Sequence, residues 1–186
     1  MICFRARYIH CVTPLTDCQE LSEIVEKSGA EWLDIDLDKN SPDTVKRVIE
    51  QSAVKVDVWL SERGGGWCDS VTFSPHTDNI STQFVFLHPG LVTRLTQLLS
   101  LYQSWTVEYG LYLFNHGPED WTELYPVLET LVSVRKVVIT NCSPPPSVSL
   151  LETLWDKTEE EWQVDNEKYY KKNAEDFTKL VTKYFQ

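Results

Sequence analysis

The chain is predicted to be an α/β protein of five or six strand–helix units followed by a C-terminal helical segment. Three observations predict it. Short runs of β-branched or aromatic residues alternate with longer segments whose apolar residues recur at helical spacing. Several of the short runs, such as Trp32-Leu33-Asp34-Ile35-Asp36-Leu37-Asp38 and Val54-Lys55-Val56-Asp57-Val58, alternate apolar with polar residues. A strand covered by helices on both faces reads as continuously apolar, so here one sheet face meets water. Finally, the 186 residues are 42% hydrophobic and include seven Trp, eight Tyr and seven Phe, which supports a real core and excludes a disordered chain.

Taken in order, strands are expected to begin near Ile2, Trp32, Val54, Thr82, Thr106 and Lys136. After the first, Asp17 can cap a helix through Leu21, Ile24 and Val25, and Gly29 stands where a helix C-terminus calls for a left-handed residue. Ser41 or Asp43 caps the next helix, with Pro42 in its first turn and Val45, Val48 and Ile49 on one face. Residues 63–79 are irregular. Gly64-Gly65-Gly66 leads into a loop or a short extra strand at Val71-Thr72-Phe73, as if one unit had lost its helix. Pro89 opens a third helix carrying Leu91, Leu95, Leu98, Leu99 and Tyr102. Pro118 opens a fourth, with Trp121, Leu124, Tyr125, Leu128 and Leu131 as its stripe, and Pro126 kinks it or delays its start. The loop Ser143-Pro144-Pro145-Pro146-Ser147 is stiff and extended. From residue 149 to 186 the chain reads as helix, with Leu150, Leu151, Leu154 and Trp155 first and Phe177, Leu180, Val181, Tyr184 and Phe185 last. The expected organisation is therefore a strand–helix domain over 1–148 and an amphipathic helical segment over 149–186.

Composition removes several function classes. With 17 Lys+Arg against 28 Asp+Glu, the net charge is −11, which opposes broad binding to nucleic acid or anionic membrane. No apolar run reaches the roughly 18 residues of a membrane span. No secretory signal is read at the N-terminus. The five cysteines are odd in number, irregularly spaced and without a C-x-x-C pair, so neither a disulfide framework nor a zinc motif is expected. The expectation is reduced, buried cysteines in a cytoplasmic or nuclear protein.

The strand starts recur at a loose period of roughly 27 residues, the range of repeats that carry one strand and one helix per unit. Trp32-x-x-Ile35-x-Leu37-x-x-Asn40 and Val134-x-x-Val137-x-Ile139-x-x-Cys142 fit the pattern L-x-x-L-x-L-x-x-N/C. Ala53-x-x-Val56-x-Val58-x-x-Ser61 fits it loosely, and Phe84-x-Phe86 and Tyr109-x-Leu111 keep its two central positions. On these residues the chain resembles an irregular leucine-rich-repeat protein of the helix-bearing type, like ribonuclease inhibitor or the repeat part of F-box proteins. The resemblance implies outer helices and an open concave sheet face. A second resemblance implies a partial α/β barrel, or failing that a doubly wound sheet. The run Gly29-Ala30-Glu31-Trp32-Leu33-Asp34-Ile35-Asp36-Leu37-Asp38 looks like the second strand of type I dehydroquinases. Arg63-Gly64-Gly65-Gly66 falls where that family has a Glu-Gly-Gly loop, and Val137-Val138-Ile139-Thr140-Asn141 resembles its fifth strand. The family's third-strand arginine is missing from Val58-Trp59-Leu60, and the chain holds too few units for eight strands and a Schiff-base lysine.

Candidate chemistry is sparse. Asp34, Asp36 and Asp38 stand on one strand face, but neighbours on that face are about 7 Å apart, wide for one ion, so they read as a solvated acidic surface. Gly64-Gly65-Gly66 lacks the phosphate-cradling patterns. His10, His76, His88 and His116 show no metal-ligand spacing, and His10-Cys11 has no further catalytic element beside it. Aromatic residues on an open sheet or loop are typical binding anchors, which singles out Trp59, pointing opposite to Val58, and Trp67. The expected function is a non-enzymatic protein-interaction module or adaptor, with no catalytic residue, metal or cofactor. Asp34, Asp36, Asp57, Trp59 and Trp67 would form an acidic, aromatic face that recognises a protein partner with basic patches. One alternative is a dehydroquinase-like domain holding a small anionic ligand near Asp36, Asp38, Glu62 and the glycine loop. Another is a subunit of a large assembly docked through its C-terminal helix.

Overall fold

The computed structural model describes residues 2–5, 8–11, 18–37, 39–60, 70–74, 80–87, 92–99, 104–115 and 121–184. Among these residues ten strands pair in chain order into one sheet. They are β1 (Ile2–Arg5), β2 (Tyr8–Cys11), β3 (Trp32–Asp36), β4 (Lys55–Trp59), β5 (Ser70–Phe73), β6 (Ile80–Leu87), β7 (Trp105–Asn115), β8 (Leu131–Cys142), β9 (Thr158–Val164) and β10 (Glu167–Tyr170). Pairings β2–β3–β4 and β6–β7–β8–β9 are parallel; β5 runs against both of its neighbours, and antiparallel partners β1 and β10 form the two edges. The α/β class holds. Among the described residues the strand order never reverses, as it would in a doubly wound sheet, and β1 and β10 are not paired as they would be in a closed barrel.

The helices are α1 (Cys18–Ser28), α2 (Pro42–Gln51), α3 (Val92–Leu99), α4 (Tyr125–Glu129), α5 (Val148–Lys157) and α6 (Ala174–Tyr184). Local chemistry explains their ends. Gly29 follows α1 with φ of 67°, the left-handed conformation a helix stop requires. Ser41 caps α2, its hydroxyl accepting from the Thr44 N–H at 3.2 Å, and Ser147 does the same for α5 through Leu150 at 3.3 Å. Pro126 delays its helix: a 3-10 turn over Trp121–Leu124 comes first, and α4 starts with the proline in its opening turn. Asp17, Pro89, Leu91, Tyr102 and Pro118 lie outside the described residues.

The helices from α1 to α5 pack each against the next. They share one core with alternate strand residues: Leu33 and Ile35, Val56 and Val58, Val71 and Phe73, Val85 and Leu87, Leu111 and Leu113, Val137 and Ile139. Leu180 of α6 belongs to the same core. No helix of the described residues is long and apolar enough to cross a membrane.

The helical reading of 149–186 is corrected. Between α5 and α6 the chain forms the hairpin β9–β10, and β9 lies parallel to β8 in the same sheet. Thr158, Trp162 and Val164 are buried in β9, while Glu159, Glu160 and Glu161 separate the first two and Gln163 the last two. The two-residue connection Asp165-Asn166 reverses the chain, with Asp165 at φ of 51°. A run of three glutamates between helical flanks hides this alternation. Residue 148 does begin a helix, but the sheet continues across that boundary.

Candidate functional site

The site is the sheet face turned away from the helices, and strand register sets its layout. On one side of it Asp34 lies beside Asp57, and Asp36 beside Trp59. On the other side one row runs Phe84, Gly110, Lys136, Glu161, Tyr170 and the next runs Phe86, Tyr112, Val138, Gln163, Lys168.

The structure brings together four of the five expected partner-binding residues, Asp34, Asp36, Asp57 and Trp59, on adjacent strands. Trp67 lies outside the described residues, as do Asp38, Glu62 and the glycine loop. The solvated acidic surface is corrected: Asp34 is only 9% exposed and Asp36 only 5%. A carboxylate so far from water needs a partner. For Asp36 this is Lys39, whose ammonium sits 2.8 Å away. Asp57 is half-buried and accepts from the Thr72 hydroxyl at 2.9 Å. Trp59 is half-buried beside it, opposite in direction to buried Val58. Alternation specifies the face a side chain takes, not how deep it lies, and that is why the burial of the two aspartates was not legible.

Sequence reasoning missed the aromatic half of the face. Phe84 and Tyr109 are 41% and 46% exposed and stack with centroids 5.5 Å apart and planes 17° apart. Tyr112 stacks on Phe86 at 4.8 Å and meets Phe84 at 6.3 Å. The two central repeat positions assigned to Phe84-x-Phe86 and Tyr109-x-Leu111 are therefore corrected. The core positions are Val85 and Leu87 in β6 and Leu111 and Leu113 in β7. The run Phe84-Val85-Phe86-Leu87 is apolar throughout, so either frame satisfies the pattern; a ring every second residue was the one available signal.

Two local devices shape this ladder. Gly110 stands in the row between Phe84 and Lys136, and a Cβ built there would lie 2.7 Å from the Tyr112 ring. The absent side chain is thus the space the Tyr112 ring occupies. The second device is a β-bulge. Glu108 and Tyr109 together stand opposite one residue of β6, Gln83, and one of β8, Arg135. Both side chains reach solvent, where a regular half-buried strand would bury one.

Beyond the ladder the face is a lattice of ion pairs. Arg135 Nε meets Glu160 at 2.8 Å, and Glu161 takes Lys136 at 2.9 Å and Lys168 at 3.6 Å. The hydrogen bond from Lys136 holds the Glu161 carboxyl below its ordinary range, against the opposing effect of burial. Glu108 accepts from the Ser81 hydroxyl.

No family model, curated protein or solved structure matches the chain. Function must be read from the face itself and from what lies near it. Among the described residues no group of three or more His, Cys, Asp or Glu is placed to hold a metal ion. A cleft of about 90 Å³ opens beyond the C-terminal ends of β8 and β9, lined by Thr140, Asn141, Cys142, Pro146, Asp165 and Tyr184 among others. Its thiol, Cys142, donates to the Leu113 and Thr140 carbonyls at 3.5 Å, and burial pushes its pKa up to about 12. Burial thus favours the thiol over the thiolate, which is the nucleophilic form.

Proposed function

We propose that the chain is a protein-interaction module whose open sheet face holds a basic segment of a partner protein. The observation that carries this reading is the stacked ladder of Phe84, Tyr109, Tyr112 and Phe86, two of whose rings are strongly exposed on a face that its own helices leave uncovered. Rigid aromatic rings bury large area at small entropic cost, which makes them the usual anchors of an interface. Asp57 and Glu108 on the same face and the net charge of −11 favour a cationic partner, steering its approach and rejecting acidic competitors. An irregular array of leucine-rich-repeat type is the architecture we propose for it. Strand order that follows chain order and helices packed in succession support that reading, as do core positions at Ile35-x-Leu37, Val56-x-Val58, Val85-x-Leu87, Leu111-x-Leu113 and Val137-x-Ile139.

The test is selection of peptides from a random displayed library on the wild-type protein. The selected peptides are then titrated against the double variant Phe84→Ala/Tyr109→Ala. We expect Lys- and Arg-bearing peptides whose affinity weakens with salt and drops at least about tenfold on the variant. Thermal unfolding checks that the variant is folded. Peptides that bind both proteins equally would overturn the reading.

A further inference from the structure

The rings of this protein that reach its surface differ in what lies over them. Trp32, Trp155 and Tyr184 each carry a lysine of the chain itself: Lys55, Lys171 and Lys183 lie 4.9, 5.4 and 5.3 Å from the respective ring centroids. Among the described residues no cation is stacked on the rings of Phe84, Phe86, Tyr109 or Tyr112; Arg135 stands across from Tyr109 on β8 but is held by Glu160. The carboxylates divide in the same way. Glu160 and Glu161 are neutralised by Arg135, Lys136 and Lys168, whereas Glu108 is exposed, accepts a hydroxyl from Ser81, and among the described residues forms no ion pair: Arg135, which stands opposite the bulge on β8, is paired with Glu160. The bulge in β7 sets this carboxylate directly next to Tyr109 in the chain, with both side chains facing solvent.

We infer that the Phe84–Tyr109 ring pair and the Glu108 carboxylate form the seat of an arginine side chain of the partner. The inference rests on the interaction reading above and names the anchor that reading lacks. A guanidinium is planar, weakly hydrated and permanently charged. It lies flat on an aromatic face while its edge offers parallel N–H groups to a carboxylate. A lysine ammonium is a compact, strongly hydrated point charge without the planar fork, so it stacks on the ring less well and offers the carboxylate no parallel pair of donors. A phosphorylated or acidic segment is repelled by Glu108 and by the charge of the whole chain.

The experiment uses the peptides selected on the wild-type protein, resynthesised with each arginine replaced in turn by lysine or by citrulline, its neutral isostere. At one position citrulline should weaken binding tenfold or more, and lysine several-fold. Glu108→Gln should weaken the arginine peptide about tenfold and leave the citrulline peptide unchanged. Tyr109→Phe should keep most of the affinity that Tyr109→Ala removes. Binding that depends on Phe84 and Tyr109 but is indifferent to citrulline and to Glu108→Gln would overturn the arginine seat and leave the interaction reading standing. Binding indifferent to Phe84 as well would overturn both.

Discussion

Gly110 shows how much one missing side chain can organise. A methyl group there would meet the far end of the Tyr112 ring, which can swing away, rather than backbone, which cannot. We therefore expect Gly110→Ala to change stability by less than about 1 kcal/mol, since the ring's displacement is offset by the glycine's lost flexibility. It should nevertheless weaken binding of any ladder-dependent peptide several-fold. Urea unfolding and peptide titration on the same variant check both halves. Legibility at this scale was uneven. The direction of Trp59 follows from the alternation of β4, because Val56 and Val58 can only face the core. The ladder was not legible, because four consecutive apolar residues in β6 carry no phase and the β7 bulge breaks the period that alternation needs.

At the scale of elements, α6 and the edge strand are joined by one carboxylate. Asn173 caps α6, its side-chain oxygen accepting from the Glu175 N–H at 3.1 Å. Asp176, buried three residues on, accepts from the Asn173 side-chain amide at 2.9 Å and from the Tyr170 N–H of β10 at 2.8 Å. It thus holds the capping side chain in place and occupies a donor on the edge strand. Asp176→Ala should cost about 1–3 kcal/mol, by leaving these donors without their acceptor, and Asp176→Asn should cost less. Chemical denaturation of the two variants measures it; a cost of Asp176→Ala below about 0.5 kcal/mol would show the linkage to be dispensable. The helices with strong caps, α1 and α2, were legible from Gly29 and from Ser41-Pro42. The β9–β10 hairpin was not. Its only turn signal is Asp165-Asn166, and its strand alternation is carried by Trp162 and Val164 against a background of charge.

For the whole molecule the ion-pair lattice on β8, β9 and β10 sets an acid limit. Hydrogen bonding from Lys136 lowers the folded-state pKa of Glu161. A lowered carboxylate pKa contributes stability that is fully present above the ordinary carboxylate range and is lost as pH falls through the folded value. Unfolding free energy should therefore decline from about pH 5 to about pH 3, and Lys136→Met should flatten that decline. An unchanged slope in Lys136→Met would mean that Glu161 does not contribute to the acid limit. The fold class was legible at this scale because a half-buried sheet and one layer of helices leave two distinct periods in the chain. The extent of the sheet was not, since its two edge hairpins add strands without adding helices.

Strand order that matches chain order has a kinetic consequence. Each strand pairs with the next strand in the chain, so no pairing spans more than one strand–helix unit, and the entropy of closing any one loop stays bounded by the length of that unit. In the repeat array proposed above, assembly would begin at any adjacent pair and spread outward in both directions. The same property confines damage. A lesion near one end interrupts the spread there and leaves the pairings at the other end free to form.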